Sequence, residues 1–306
     1  MNSFTVMVPC STSNLGPGFD SLGLALSGPD LMVRVSPGGD RLRITKLSGE
    51  GAGRLPMDST NRIIQAAQRT AVESGRDPHE LAAELSVHSS IPLKRGLGSS
   101  AAAALAGALV AYQLLDGEIG YEAVLRTAVD MEGHPDNVVP SLRGGAQVSL
   151  RDAEGRVMSC AIPIKRSLKA ALYIPDQELA TSAARAVLPK EVPMEDAVFN
   201  LSHTAMIVAA LATGQIELLR EAMEDRLHQP ARAGLLPWLP GLLAAAREGG
   251  ALGAALSGAG TTVCALCTSE SARGAASAMM TYAAAQGVAG RAEVVDVGVP
   301  GASVAF

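Results

Sequence analysis

The sequence predicts an α+β protein of two domains. Three observations carry this. Short β-rich runs and helix-period segments are both present but do not alternate strictly, which argues against a doubly wound parallel sheet. The 306 residues fit about two domains at roughly 100–200 residues each. The regular runs break between residues 155 and 167, where Gly155, Pro163 and the basic Lys165-Arg-Ser segment fall. The division expected is therefore residues 1–160 and 161–306.

Phe4–Val8 is a β-rich run, and Leu31–Val35 and Leu42–Leu47 read as two further strands split by the Pro37-Gly-Gly-Asp40 turn. After Ser59-Thr-Asn-Arg the period becomes helical, with Ile63, Ile64, Ala67, Ala71 and Val72 on one face and Asp77-Pro-His closing the segment. Glu84–His88 reads as a strand that feeds a Gly-rich loop and then a long Ala-rich helix to about Leu115. Tyr121–Met131 is helical and Gly145–Leu150 returns to strand. The second unit opens with a strand at Lys169–Ile174, continues through helices at Val198–Ala212, Ile216–Arg226 and Leu239–Arg247, and ends with strands at Thr262–Cys267 and Ala292–Val297 around a helix at Ser271–Gln286.

Composition removes several function classes. Aromatic residues are 3% of the chain and the net charge is −5, so neither a base-stacking surface nor the basic footprint of a nucleic-acid binder is present. An anionic ligand would have to be held locally. A long uncharged stretch, Gly96–Leu115, is mostly Ala, Gly and Ser and opens on a Gly-rich loop, which fits a buried helix better than a membrane span. Met1–Cys10 has no basic segment and no apolar core of signal-peptide length, so a cytoplasmic location is the expectation. Four cysteines suit reduced thiols. The Cys264-Ala-Leu-Cys267 pair lies in an apolar strand, where residues three apart face opposite sides, so packing rather than metal binding is expected.

The strongest chemical signal is Pro92-Leu-Lys-Arg-Gly-Leu-Gly-Ser-Ser-Ala101, directly before a helix. Glycines let the backbone approach an anion, first-turn N–H groups point outward, the helix dipole adds positive potential, and Ser99 and Ser100 can donate to phosphate oxygens or hold Mg²⁺. The alternative is an ordinary loop whose serines cap the helix. The pattern is neither a Walker A nor a Rossmann fingerprint. Ser13-Asn-Leu-Gly-Pro-Gly-Phe-Asp20 is a second glycine loop, or a turn with polar tips. Leu252–Thr261 is a third, dense in Gly and Ala, suited to close approach of a ligand or to tight packing. Glu132-Gly-His-Pro-Asp-Asn137 offers two carboxylates and an amide after a helix, or a solvated loop.

In their order these segments resemble the GHMP kinases, with the closest likeness to the homoserine kinase branch. The segments that carry the likeness are Asn14–Asp20, Pro92–Ala101, Glu132–Asn137 with Gly144-Gly145, Arg185–Pro189, His228–Arg232 and Gly253–Thr262, and they span nearly the whole chain. The resemblance implies a two-domain GHMP kinase fold, with an N-terminal ribosomal-protein-S5-like ATP-binding domain and a C-terminal ferredoxin-like domain, and an active site between them. It implies ATP-dependent phosphorylation of the L-homoserine side-chain hydroxyl, a step of threonine biosynthesis, with ATP and L-homoserine as small-molecule ligands and Mg²⁺ as cofactor. A homodimer is a further implication of the family.

Carried over position by position, Pro92, Lys94, Arg95, Gly96, Leu97, Gly98, Ser99, Ser100 and Ala101 match the loop that cradles ATP, with Ser257, Gly258 and Gly260 as the third glycine motif. Ser99 and Glu132 match the magnesium position, and a hard cation that keeps waters and phosphate oxygens needs few protein ligands. Asn14, Asp20, Asp136 and Asn137 match the homoserine pocket, and Arg185 and Arg232 match the carboxylate-binding arginines, whose planar forks suit bidentate pairing. Asp136 and Asn137 are the catalytic candidates: Asp136 is either the acceptor of the hydroxyl proton or a substrate-holding group while Asn137 orients the hydroxyl. His134 and His228 are expected to support their neighbours rather than bind metal. Two positions depart from the family pattern, Thr261 where proline is common and Ala231 where an aromatic is common, the second with an expected slight widening of the pocket. The competing readings are a GHMP kinase for another small hydroxy acid and a catalytically silent ATP and metabolite sensor.

Overall fold

Two sheets organise the chain in the computed structural model, which describes residues 2–115 and 120–306. The first half contains β1 (Phe4–Asn14), β2 (Gly18–Pro37), β3 (Leu42–Gly49), α1 (Arg62–Glu73), β4 (Ala83–Ser89), α2 (Ser99–Leu114), α3 (Tyr121–Glu132), α4 (Val138–Arg143), β5 (Ala146–Arg151) and β6 (Val157–Ile162). The second contains β7 (Lys169–Pro175), α5 (Thr181–Ala186), α6 (Met194–Thr213), α7 (Leu219–Ala222), α8 (Gln229–Ala233), α9 (Leu239–Glu248), β8 (Gly253–Leu256), β9 (Val263–Cys267), α10 (Ala272–Ala285), β10 (Gly290–Asp296) and β11 (Ser303–Ala305). The seven-stranded sheet has the order β11-β1-β2-β4-β3, with β5 pairing to β2 and β6 to β5. The four-stranded sheet has the order β10-β7-β9-β8 and is antiparallel throughout. Its strand order and its helical connections are those of a ferredoxin-like unit.

Most expected elements are present, and the differences have physical reasons. Leu31–Val35 is the far end of a 20-residue strand, and β1 is likewise longer than its apolar run. β1 is prolonged by polar residues and β2 by a segment that buries Leu22, Leu24 and Leu26, and the two pair across register shifts near Pro9 and Ser13. β2 and β3 do not form a hairpin across the Pro37-Gly-Gly-Asp40 turn. β4 lies between them, antiparallel to β2 and parallel to β3, so burial of Leu85 and Val87 decided the pairing over sequence proximity. Ile216–Arg226 is a 3₁₀ turn followed by the four-residue α7 rather than one helix, because Asp225 turns the chain by accepting three successive backbone N–H groups. Gly253–Leu256, read as loop, is the strand β8, paired with β9. The chain then returns to the first sheet: β11 pairs with β1.

The helices bury what their sequences prescribe. Asn61 caps α1 by accepting from the Ile63 N–H, and Ile63, Ile64, Ala67 and Ala71 face inward. Val72, next round the helix, is 60% exposed instead of sharing that face. α2 is apolar on every side, as a central helix must be, and is buried along most of its length. The two approach so closely that a Cβ on Gly107 would stand 2.1 Å from the Ile63 carbonyl oxygen. In the second sheet Cys264 packs with Leu266 on one face and Cys267 with Val263 and Ala265 on the other, as strand alternation requires. Burial pushes both thiols up, Cys264 to about 12 and Cys267 to about 11, so neither is a reactive thiolate.

α6 is long and apolar enough to cross a bilayer by length and composition. It is docked through Asn200, Ile207, Ala210 and Leu211, and the buried Asn200 amide donates to the Pro17 carbonyl at 3.1 Å and to Asp225 at 2.7 Å. Its outer side leaves Met194, Val198 and Leu201 exposed.

The α1–α2 contact sets a stability test. Gly107→Ala gains about 1 kcal/mol of helix propensity but forces two helix backbones apart, at a cost of about 1–3 kcal/mol. The expected outcome is a lower urea midpoint.

Candidate active site

Three loops from distant parts of the chain meet around one cavity of about 300 Å³. The first leaves the end of β1, where Asn14, Leu15 and Gly16 all take positive φ. The second is the Gly96–Gly98 turn, with Gly98 in the left-handed region at the start of α2. The third follows β8. A Cβ on Gly96 would lie 2.0 Å from the Ser257 carbonyl oxygen, so only glycine permits the second and third loops to touch. Ser257 Oγ donates to the Gly96 carbonyl at 2.6 Å and accepts from Thr12 Oγ1 at 2.8 Å, and the Thr262 N–H donates to the Arg95 carbonyl at 3.1 Å. Asn14 joins the first loop to the third: its Nδ2 donates to the Gly258 carbonyl at 3.0 Å while its Oδ1 accepts from the Asp20 N–H at 3.0 Å.

The expected residues distribute unevenly. Pro92, Lys94, Arg95, Gly96, Leu97, Gly98, Ser99 and Ser100 line the cavity together with Gly258 and Gly260. Ala101 does not; it is fully buried in the first turn of α2. Ser257 is also fully buried and acts as the tie just described. Arg95 spends its guanidinium on the carbonyls of Pro175 (2.7 Å), Asp176 (2.8 Å) and Leu93 (3.3 Å), so it joins the loop to the second sheet instead of offering a free charge. Lys94 is exposed and lies 3.7 Å from Glu178. The open first turn of α2, with Ser99 and Ser100 beside it, is an anion cradle.

Glu132 sits across from that turn at the end of α3. It accepts from Ser100 Oγ at 2.5 Å and pairs with Arg62, whose guanidinium also donates to the Met131 carbonyl at 2.7 Å. Ser99, the serine expected to join Glu132, lines the same cavity, but Ser100 is the one in contact. Arg62 carried no functional signal in the sequence, since Ser59-Thr-Asn-Arg read only as a helix start.

Asp136 and Asn137 lie where α3 passes into α4. Asp136 is 1% exposed and pairs with His134 Nδ1. Burial alone would push its carboxyl up, but the His134 hydrogen bond and charge, the Ser13 hydroxyl and Arg185 together hold it below the usual carboxylate range. His134, drawn down by burial, is raised overall by Asp136. Asn137 donates from Nδ2 to Ser13 Oγ at 2.8 Å and accepts on Oδ1 from Ser11 Oγ at 3.0 Å, so both serines of β1 fix its orientation. Asp20, His134 and Asp136 present ligand atoms within 4.8 Å of one another, a concentrated negative corner.

Two arginines face that corner. Arg185, on α5, forms a bidentate pair with Asp20 at 2.7 and 3.1 Å. Arg232, on α8, is 2% exposed and donates to the Gly258 carbonyl at 2.8 Å, the Ala184 carbonyl at 3.3 Å and His228 Nδ1 at 3.0 Å. Because His228 Nδ1 accepts, its Nε2–H donates to the Gly16 carbonyl at 2.8 Å, and the ring is neutral. Burial lowers the His228 pKa, against the pull of Asp225 and with the help of Arg232. Burial, then Arg185, lowers that of Arg232 to about 10. Both guanidiniums lie over the Phe19 ring, at 5.3 Å for Arg185 and 5.5 Å for Arg232. Phe19 was legible only as part of the Phe-Asp ending of its motif. Ala231 is not among the residues that line the cavity, although its neighbour Arg232 is. Thr261 donates to the Gln177 carbonyl at 2.7 Å.

The family models for the GHMP kinases N terminal domain and the GHMP kinases C terminal match residues 61–145 and 207–285. A homoserine kinase of Moorella thermoacetica is 44% identical over 86% of this chain and 86% of its own. One of Prochlorococcus marinus is 40% identical over 95% of this chain and 92% of its own. The chain belongs to the homoserine kinase family of the GHMP kinases. The crystal structure of a homoserine kinase from Cytophaga hutchinsonii superposes with a TM-score of 0.89 at 30% identity, covering 99% of this chain and 98% of that one. Within this homoserine kinase fold, the three glycine loops and both arginines converge on the cavity between the two sheets.

The neutral His228 makes stability pH-dependent. Its folded pKa lies below the unfolded value of 6.5, so the unfolded chain takes up a proton first as pH falls and stability is lost below about 6.5. Thermal unfolding of wild type should therefore weaken between pH 7 and 5.5 more steeply than that of His228→Gln.

Proposed function

We infer that this chain transfers the γ-phosphoryl group of ATP to the side-chain hydroxyl of L-homoserine, giving O-phospho-L-homoserine and ADP for threonine biosynthesis. The supporting observation is that the anion cradle at α2 and the Asp20, Asp136, Arg185 and Arg232 cluster open into one cavity. A triphosphate and an amino-acid zwitterion would thus lie side by side. A second cavity of about 190 Å³ shares Ser99 with the first and is walled by Leu47, Ile63, Val87 and Leu93, with Asn61 and Thr60 as polar groups. We assign it to the adenine ring. An apolar slot with a few polar edges suits a flat base.

Glu132, Ser99 and Ser100 are oxygen donors on one wall, a set that fits Mg²⁺, which prefers few protein ligands. When bound there the ion would neutralise phosphate charge. The chain's own residues do the rest. Gly96, Gly98, Ser99 and Ser100 hold the phosphates; Lys94 adds a cation at the rim. Asp20 and Asp136 receive the substrate ammonium, Arg185 and Arg232 its carboxylate, and Asn14 and Gly258 keep the wall in shape. Asn137, fixed by Ser11 and Ser13, orients the hydroxyl. In a loose phosphoryl transfer the protein contributes mainly position and charge. Asp136, held ionised and already bonded to His134, is a weak proton acceptor and serves chiefly to position the substrate.

Three features of the family reading belong to the same proposal: two domains at 1–160 and 161–306 with the last strand returning to the first sheet, a cytoplasmic location, and a homodimer. The exposed apolar side of α6 favours the dimer, and sedimentation of the purified chain should give twice the monomer mass.

The deciding experiment is ADP release with ATP, Mg²⁺ and L-homoserine. Turnover with L-homoserine, abolished by EDTA, is expected. Turnover only with mevalonate, shikimate or pantoate would reassign the substrate, and ATP binding without turnover would favour the sensor. Asp136→Asn should raise KM for homoserine and lower kcat by less than about 100-fold; a general base would cost about 10²–10⁴ with little change in KM. Glu132→Gln should raise the Mg²⁺ concentration needed for half-maximal rate.

A further inference from the structure

We propose that Asp20 and Arg185 form an internal competitor for the substrate's two charges, so that only a ligand carrying both an ammonium and a carboxylate can part them without leaving one unpaired. The proposal rests on reading this cavity as the amino-acid site. Each member of the pair is the partner the other would receive from the substrate. The carboxylate of Asp20 occupies the guanidinium fork of Arg185, and that guanidinium covers the carboxylate meant for the ammonium.

Both side chains are about one third exposed, 34% and 36%, so a ligand can reach the pair. Both residues are anchored beside the pair. Asp20 is held at φ 56° and its N–H is bound by Asn14. Arg185 rests over Phe19, the same ring that carries Arg232. Arg232 is already fixed by Gly258, Ala184 and His228. The remaining acid of this corner, Asp136, is bonded to His134.

A zwitterion that enters breaks one ion pair and makes two: its ammonium goes to Asp20, its carboxylate to Arg185 beside Arg232. A hydroxy carboxylate breaks the same pair, gains the arginines and strands Asp20. An amino alcohol gains Asp20 and strands Arg185 next to a second cation. Stranding a partly desolvated charge costs more than the new contact returns. Selection against singly charged small alcohols therefore comes from the protein's own ion pair and not from the size of the pocket.

The test is steady-state kinetics of the full chain with ATP and Mg²⁺, using L-homoserine, 4-hydroxybutyrate and 3-aminopropan-1-ol as acceptors. Wild type should use both singly charged alcohols with kcat/KM roughly a thousandfold below L-homoserine. Asp20→Asn keeps the left-handed backbone, which Asn tolerates. It should lower kcat/KM for L-homoserine and raise the absolute value for 4-hydroxybutyrate by about tenfold or more. Arg185→Gln should raise the value for 3-aminopropan-1-ol in the same way and lower that for 4-hydroxybutyrate. Asp20→Ser serves if the Asn variant does not fold, with an unchanged KM for ATP as the check on structure. If wild type turns over L-homoserine but 4-hydroxybutyrate is unchanged or worse in the Asp20 variants, the competitor is refuted and the site reading stands. Failure of wild type to turn over L-homoserine refutes the site reading itself.

Discussion

The cavity exists because three polar loops are tied to one another, the first to the third through Asn14 and Gly258 and the second to the third at the contact between Gly96 and Ser257. Bare glycine backbone is needed there, since any side chain would meet a carbonyl oxygen. Once that contact forms, the first turn of α2 is aimed at the space where β1 ends and β8 turns, and Asn14 can reach the Gly258 carbonyl across 244 residues of sequence. The first two loops are anchored in the core by Leu15 and Leu97. They are positioned by α2, which is buried on all sides, and by the second sheet, to which Arg95 is bound through three carbonyls. The rigidity of the phosphate cradle is thus borrowed from the two cores on either side of it.

Charge in the cavity is arranged in opposed pairs, and almost every charge has a protein partner: Glu132 with Arg62, Asp20 with Arg185, Asp136 with His134, Lys94 with Glu178. Arg95 and Arg232 are held differently, Arg95 by three carbonyls and Arg232 by two carbonyls and a neutral imidazole. Such neutralisation lets a site rich in ionised groups persist without ligand-sized counterions. It also means that binding proceeds by exchange of partners, which costs less than desolvating free charges.

The glycine loops and the acidic turn were legible because their chemistry demands particular residue types, glycine for positive φ and close approach and serine at a helix start, whereas both arginines were legible only through the family resemblance. Other features left no such mark. Arg62 looks like any helix-opening arginine, and Ser11 and Ser13 look like polar strand residues, yet they set Glu132 and Asn137. The Asp20–Arg185 pair spans 165 positions and has no local signal. β8 was hidden by glycine and alanine, which have low strand propensity, and the β2-β4-β3 order by the turn that joins β2 to β3. Val72 shows the limit of periodicity at the edge of an apolar face. Ala101 and Ser257 match a motif by position while serving packing and loop attachment.

The return of Ser303–Ala305 to pair with β1 has a consequence for how the chain matures. β1 begins the chain's first sheet and leads directly into the loop that holds Asn14, yet the Thr5–Met7 part of its outer edge is covered by residues about three hundred positions later. During synthesis the first half can collapse and form β1 through β6, but that edge stays open until the second sheet has been made and the tail has crossed back. Such distant closure is slow and leaves a pairing-competent edge exposed in the meantime. The tail therefore acts as a final seam, completing the strand that carries the first loop only after the arginines that will face it are in place.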